Sequence, residues 1–250
     1  MSINLIDISE EYPELNKVYH LGYYIPKKWG VDDQLSREVI NFKYNKRGAV
    51  QNWQELFFDM VDLSVLGPPD TYGFVRVLGH KELNASWESP LDHLIMHFSE
   101  AYYDPLIITK SRHTKKFSSL NKMERQQELL NVYQCVQQKS YDKCTYIIFD
   151  DIITTGSSLI AVSHAIQKTF PNAIIKCLAL AKTSDPDPHV LRYNQQLYNC
   201  LTGKSQQISS PPTGWKDVSE LFQDPDDYDV DDSDYDDDAS KWSENSTESG

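Results

Sequence analysis

The feature that most constrains the fold is an alternation of strand and helix patterns between residues 146 and 181. An apolar run over 146–149 is followed by an apolar helical stripe over 157–170, and then by a second apolar run over 173–181. Strands that alternate with helices in this way are typical of parallel sheets, because the crossover helix carries the chain back to the end of the sheet where the first strand began. The pattern therefore predicts an α/β fold with a central, mainly parallel sheet flanked by helices.

The rest of the chain divides by composition into three parts. Residues 1–67 are rich in aromatic side chains and contain two helical stripes, which predicts a small N-terminal hood or helical region. Residues 68–202 hold the alternating pattern and are predicted as the α/β core. Residues 203–250 turn to Ser, Gln, Pro and Asp, and such a segment cannot bury enough apolar surface to order itself. We therefore expect a disordered acidic tail there.

The net charge of −13 comes almost entirely from that tail. Residues 221–250 hold ten Asp and two Glu against one Lys, a net charge of −11, so the remaining 220 residues carry only −2. A nucleic-acid-binding surface needs a basic excess, so direct nucleic-acid binding is not expected. The oligomeric state is left open, with a homodimer as one alternative.

The sequence also predicts the cellular compartment. It has no apolar run of eighteen residues and no basic segment followed by an apolar one at its start, so neither a membrane span nor a secretory signal is expected. Its four cysteines form no CxxC pair and no zinc-finger spacing, which favours reduced thiols. We expect a cytoplasmic protein that does not associate with membranes.

The most informative motif is YIIFDDIITTGSSL at 146–159. Its apolar strand is predicted to end at Asp150 and Asp151, and parallel sheets bind ligands beyond the carboxyl ends of their strands. Two apolar residues later, positions 154–158 combine four hydroxyl side chains with a glycine at the start of a helix, which suits a phosphate. An ordinary N-cap would explain one Asp and one Ser or Thr, but it would not explain this whole set. The segment lacks the lysine of a P-loop.

The motif IIFDDIITTGSSL resembles the PRPP-binding motif of type I phosphoribosyltransferases, where PRPP is 5-phosphoribosyl-1-pyrophosphate. The match covers thirteen residues without a gap. The resemblance implies the fold of that family. It also implies that Asp150 and Asp151 bind the ribose hydroxyls and contribute to catalysis. The phosphate site it implies consists of Thr154, Thr155, Gly156, Ser157 and Ser158.

Within that family the chain looks most like the ComF-like group. FKYNKRG at 42–48 and the stretch 110–133, which contains a basic segment at 110–125, are similar to two ComF stretches, although the Cys-pair zinc module of those proteins is missing. The resemblance implies a pyrophosphate site at Gly79, His80 and Lys81, with Lys115 from a mobile basic loop. Arg112, which matches a ComF position, is predicted as a catalytic residue.

The expected activity is transfer of a phosphoribosyl group from PRPP to a nitrogenous base or related acceptor, with release of pyrophosphate. Mg²⁺ is expected as the cofactor, bound mainly through PRPP, and no metal ligands are assigned to the protein. Two alternatives stay open. The first is a catalytically silent PRPP or nucleotide sensor, including a ComF-like DNA-uptake accessory protein. The second is an interaction scaffold that works through its acidic tail.

Overall fold

The computed structural model describes residues 2–68, 72–98, 102–103, 106–117, 120–136 and 145–204. From position 205 onward, the predicted acidic tail lies outside these residues, and its disorder stays a prediction. The strands are β1 (Ile3–Asn4), β2 (Ile6–Asp7), β3 (Lys17–Tyr24), β4 (Val61–Asp62), β5 (Tyr72–Arg76), β6 (Tyr102–Tyr103), β7 (Ile108–Lys110), β8 (Tyr133–Cys135), β9 (Thr145–Ile153) and β10 (Ile174–Thr183). The helices are α1 (Gln34–Lys43), α2 (Ala49–Asp59), α3 (Pro90–Phe98), α4 (Lys122–Leu129), α5 (Ser157–Thr169) and α6 (Pro188–Leu201).

A six-stranded sheet in the order β2-β3-β10-β9-β5-β6 forms the centre of the molecule. The neighbours from β3 to β6 pair in parallel, whereas β2 pairs antiparallel with β3. The α/β architecture predicted from the sequence is therefore confirmed, with a sheet that is mixed but mainly parallel. Two-stranded sheets, β1-β4 and β7-β8, accompany the central one.

Helices cover both faces of the central sheet. Side chains of a strand point to alternate faces, and in β9 the alternation separates Ile147 and Phe149 from Tyr146 and Ile148. The first two pack with α1, α2, α3 and α6 in one apolar cluster. The other two pack with α4, α5 and the β7-β8 pair in a second cluster. Both faces of β9 are therefore buried, which explains its continuous apolar run.

The segment predicted as an N-terminal hood contributes directly to this sheet. Strand β3 comes from it and pairs in parallel with β10 along most of its length. Conversely, β7 pairs with β8 rather than with the central sheet. The division of the chain at residues 67 and 68 stays a prediction.

Side-chain caps explain where several helices begin. The Asp33 carboxylate accepts a hydrogen bond from Ser36 N at 2.8 Å at the start of α1. At α4, Asn121 and Glu124 form a reciprocal capping box. Asp187 caps α6, and Pro188 occupies its first turn. Such caps satisfy N–H groups that have no partner inside the helix.

Candidate functional site

Unequal pairing on the two sides of β9 opens a crevice at the end of the sheet. On one side the ladder with β5 stops at Phe149, which pairs with Arg76. On the other side the ladder with β10 continues to Ile153. Asp150 and Asp151 therefore lie beyond the end of β5 but remain within β9. A crevice beyond the carboxyl ends of parallel strands is the usual ligand position in open α/β sheets.

The strand predicted to end at Asp150 and Asp151 continues for two more residues. Strand β9 extends through Asp150, Asp151 and Ile152 to Ile153, because β10 is long enough to pair with these residues as well. The two carboxylates are therefore held by a sheet strand rather than by a loop. This restricts their backbone, and it places their side chains on opposite faces of the strand.

The turn after β9 leads directly into α5. Gly156 is the N-cap, with φ of 71°, a left-handed conformation that glycine adopts without strain. Because glycine has no side chain, the N-cap itself offers no acceptor to the first N–H groups of the helix. The hydroxyl oxygens of Thr155 and Ser157 lie 2.9 Å apart beside it. The turn thus presents backbone donors and hydroxyls at the positive end of a helix.

Gly156 is also required by close packing. A Cβ atom at this position would overlap the ring of Tyr12, whereas Gly48, with φ of 81° at the N-cap of α2, has no atom within 4 Å of its Cβ position. We expect Gly48→Ala to lower the free energy of unfolding by about 1 kcal/mol, through backbone strain alone. Gly156→Ala should cost roughly 1 kcal/mol more, because the Tyr12 ring must also move. Urea unfolding of the two variants measures the difference, and equal losses would contradict the packing argument.

Burial and a like charge act together on Asp150. Its side chain is half-buried in the wall of the crevice, and both desolvation there and the neighbouring Asp151 carboxylate raise its pKa well above the usual range. Lys43 of α1 opposes the shift, and its Nζ lies 3.5 Å from an Asp151 carboxylate oxygen. A half-buried carboxyl group whose pKa is strongly raised beside a second carboxylate is typical of functional sites. Ligand hydroxyls that donate to these oxygens would offset the cost of their charge.

The loop after β5 forms the opposite side of the crevice. Gly79 and His80 line it, as does Arg76 at the end of β5. The side chain of Arg76 is only 2% exposed and donates to Asp92 at 2.6 Å and to Glu82 at 2.7 and 2.8 Å. Burial acts to lower the pKa of Arg76, but the hydrogen bonds that its guanidinium donates to Glu82 and Asp92 outweigh burial and raise that pKa. This buried ion network was not predicted from the sequence.

The basic segment 110–125 contributes to the crevice through a few of its residues. Lys116, Phe117 and Arg125 line it. Arg125 is 3% exposed, and its guanidinium donates to the backbone carbonyls of Phe117 and Leu120 at 3.1 and 2.7 Å. The same group lies 3.5 Å from the Thr154 hydroxyl. Arg125 therefore ties the basic segment to the predicted phosphate turn.

Three residues predicted for the site lie outside the lining of this crevice. They are Lys81, Arg112 and Lys115. Arg112 forms an ion pair with Glu128 at 2.5 Å and also donates to the Glu128 backbone carbonyl. The backbone N–H of Lys115 donates to the same carboxylate at 3.0 Å. These contacts hold the segment around Arg112 and Lys115 against Glu128 of α4. The contacts predicted between these two residues and the substrate stay predictions.

The crevice as a whole has the size of a small-molecule site. Its volume is about 480 Å³, within the range of about 300–1,000 Å³ that ligand pockets span. The structure brings both aspartates, the whole 154–158 turn, Gly79 and His80 to its wall. Lys116 and Arg125, from the predicted basic loop, line it as well. The residues that line it but were not predicted are Lys43, Tyr44, Arg76, Val77, Leu78, Glu82, Ser89, Pro90, Leu91, Phe117, Ile152 and Ile153.

A metal site built from protein side chains alone is not seen in the described part of the chain. No three or more His, Cys, Asp or Glu side chains within it are grouped so that they could hold a metal ion. Asp150 and Asp151 do supply the hard oxygen ligands that Mg²⁺ prefers. Two carboxylates fit a magnesium ion that takes its other oxygens from water or from a bound phosphate compound.

No family model matches the chain, and no curated protein matches it either. Among the residues that the structure describes, no helix has both the length and the apolar character needed to cross a bilayer.

Proposed function

We propose that the crevice binds a ribose 5-phosphate ester and that the protein is a type I phosphoribosyltransferase whose donor is PRPP. The observation that carries the proposal is the shared wall of the crevice. Two strand-borne carboxylates and a hydroxyl-rich helix N-terminus line one cavity at the carboxyl end of a mainly parallel sheet. A vicinal diol and a phosphate on one small molecule satisfy both halves of that wall.

In the proposed complex each part of the wall has one role. Asp150 and Asp151 accept hydrogen bonds from the 2- and 3-hydroxyls of the ribose. The turn from Thr154 to Ser158 donates to the 5-phosphate. The Gly79-His80 loop and Lys116 face the pyrophosphate.

The proposed reaction is a substitution at C1 of the ribose. The lone pair of an acceptor nitrogen forms the new bond, and the bond from C1 to the pyrophosphate oxygen breaks with its electron pair leaving on pyrophosphate. Positive charge develops at C1 as the bond stretches, and the Asp150 carboxylate stabilises it. The chain thus contributes mainly positioning and electrostatics.

Magnesium fits this proposal as a partner of the substrate. When bound, Mg²⁺ neutralises charge on the departing pyrophosphate. The two carboxylates of β9 are the groups of the described chain that would hold it, together with oxygens of PRPP and water.

A second function is favoured by a specific observation. Lys81, Arg112 and Lys115, the cations predicted to neutralise the leaving group, lie outside the lining of the crevice. A module that binds PRPP without turning it over needs the ribose and phosphate contacts but not these cations. A PRPP-sensing protein is therefore the alternative.

Pyrophosphate release separates the two functions. We expect the protein to release pyrophosphate from PRPP and Mg²⁺ only when a suitable acceptor from a panel of purine, pyrimidine and related bases is added. Calorimetry with PRPP, run in parallel, reports binding. PRPP binding without release for any acceptor would favour the sensor, and no binding of PRPP or ribose 5-phosphate would refute the proposed site.

A further inference from the structure

The Glu82 side chain lies where the proposed pyrophosphate subsite has its donors. One carboxylate oxygen accepts a hydrogen bond from Gly79 N at 2.6 Å. The two oxygens together accept a fork from the guanidinium of Arg76, at 2.7 and 2.8 Å. Both oxygens of the carboxylate are therefore engaged by donors that line the crevice.

Hydrogen bonds to the two neighbouring carbonyl groups fix the orientation of the Gly79 N–H. The Tyr133 hydroxyl donates to the Leu78 carbonyl at 3.2 Å, and in a trans peptide the next N–H points away from that carbonyl. On the other side of Gly79, Lys110 Nζ donates to the Gly79 carbonyl at 2.8 Å. The Gly79 N–H is thus aimed at Glu82 by the packing of the loop and not by Glu82 alone.

These three donors suit a phosphate as well as they suit a carboxylate. Arginine forks bind carboxylate and phosphate oxygens in the same bidentate geometry, and a neighbouring backbone N–H adds a third contact. In the unliganded protein the charge of Arg76 is already matched by two carboxylates, Glu82 and Asp92. While Glu82 remains there, its carboxylate occupies the Arg76 fork and the Gly79 N–H that an incoming pyrophosphate would use.

We infer that Glu82 is a specificity-determining residue whose carboxylate occupies the pyrophosphate subsite in the unliganded protein and must leave before pyrophosphate binds. The inference rests on the proposed function and adds a consequence to it. Ligands that carry a pyrophosphate compete with Glu82, whereas ligands that carry only the ribose and the 5-phosphate do not. The Glu82 side chain is 28% exposed, so solvent already reaches the group that must swing away.

The first test measures two ligands by calorimetry with Mg²⁺ present, inorganic pyrophosphate and ribose 5-phosphate. Glu82→Gln cannot accept the full Arg76 fork, because its amide nitrogen is a donor. In the unaltered protein, only the molecules whose Glu82 has left the subsite can bind pyrophosphate, and the apparent affinity is reduced by that fraction. Because the variant lacks this competitor, pyrophosphate should bind to it about tenfold tighter. Ribose 5-phosphate should change by less than about twofold, because no competitor has been removed from its subsite.

Glu128→Gln is the matched control. Glu128 also accepts from an arginine and from a backbone N–H, those of Arg112 and Lys115, but it lies outside the crevice lining. Both ligands should bind this variant as they bind the unaltered protein. Pyrophosphate affinity that is unchanged or weaker in Glu82→Gln would overturn the inference, and so would pyrophosphate that binds none of the variants. Failure of ribose 5-phosphate to bind the unaltered protein would refute the proposed function instead.

A second test needs no substitution at Glu82. The chain has 10 glycines, so protein labelled with ¹⁵N-glycine gives a sparse amide spectrum. Pyrophosphate should shift the Gly79 amide signal, because it replaces the partner of that N–H. Ribose 5-phosphate should shift Gly156 and leave Gly79 in place. A Gly79 signal that does not move at saturating pyrophosphate would overturn the inference.

Discussion

Asp150→Asn combined with Asp151→Asn should weaken the binding of ribose 5-phosphate and PRPP by at least about 100-fold. Each carboxylate offers a charged acceptor to a ribose hydroxyl, and hydrogen bonds to charged groups contribute about 1.5–3 kcal/mol apiece. Amide side chains keep the size of the originals but lose the charge and half of the acceptor capacity. Calorimetric titration of both ligands, with Mg²⁺ present, measures the loss.

The same double variant should fold at least as well as the unaltered protein. The pKa of Asp150 is raised in the folded state, so its charged form is disfavoured there relative to the unfolded chain. That cost is present above the folded pKa and disappears when asparagine replaces the carboxyl. Loss of binding with unchanged or higher thermal stability therefore reports on the site and not on the fold.

Asp7→Asn with Asp32→Asn is the matched control for this experiment. It removes two negative charges from exposed positions outside the crevice lining. Ligand affinity should stay within about twofold of the unaltered protein, because exposed charges at a distance are screened by salt. Equal affinities of the β9 double variant and this control would remove the two aspartates from the site.

Arg76→Met should lower the free energy of unfolding by about 3–5 kcal/mol. The substitution leaves the Asp92 carboxylate, which is fully buried, without its cation. It also leaves Glu82 without the arginine fork. Removing one partner of a buried ion pair leaves an uncompensated charge in the interior. The loss is large, because the free energy of unfolding of a typical domain is only about 5–15 kcal/mol.

The surface provides a control with the same chemistry. Arg37 pairs with Asp32 at 3.0 Å, and the two side chains are 57% and 75% exposed. Arg37→Met should cost less than about 1 kcal/mol, because exposed ion pairs add little to stability. Urea unfolding of both variants gives the comparison. Similar losses at the two positions would show that the Arg76 network is not important for the fold.

The local parts of the site were predictable from the sequence, because neighbouring residues specify them. The helix predicted over 157–170 is confirmed by α5, which begins at Ser157 after a glycine N-cap. The strand predicted over 173–181 is confirmed by β10. Both follow from periodicity and turn residues within a few positions of each other.

The parts that depend on distant residues were not predictable in the same way. Arg76 stands in an apolar strand, and its partners Glu82 and Asp92 follow six and sixteen residues later. Lys43 reaches Asp151 only because α1 packs near the end of β9. Strand β3 lacks the alternation of a half-buried strand, because seven of its eight residues are buried. In each case tertiary packing decides the role, and the local sequence carries no signal of it.

The position of β3 in the sheet has a consequence for how the chain acquires its structure. Its neighbour β10 lies far along the chain, and the Ile175 N–H bonds Asn16 across 159 residues. Contacts of such long range form slowly, because closure of a large loop must precede them. During synthesis β3 emerges before β10, so its apolar side chains have no β10 to pack beside until that strand has been made. The central sheet is therefore completed late in folding. Chaperones that shield exposed strands would bind the chain in the time between the synthesis of β3 and that of β10.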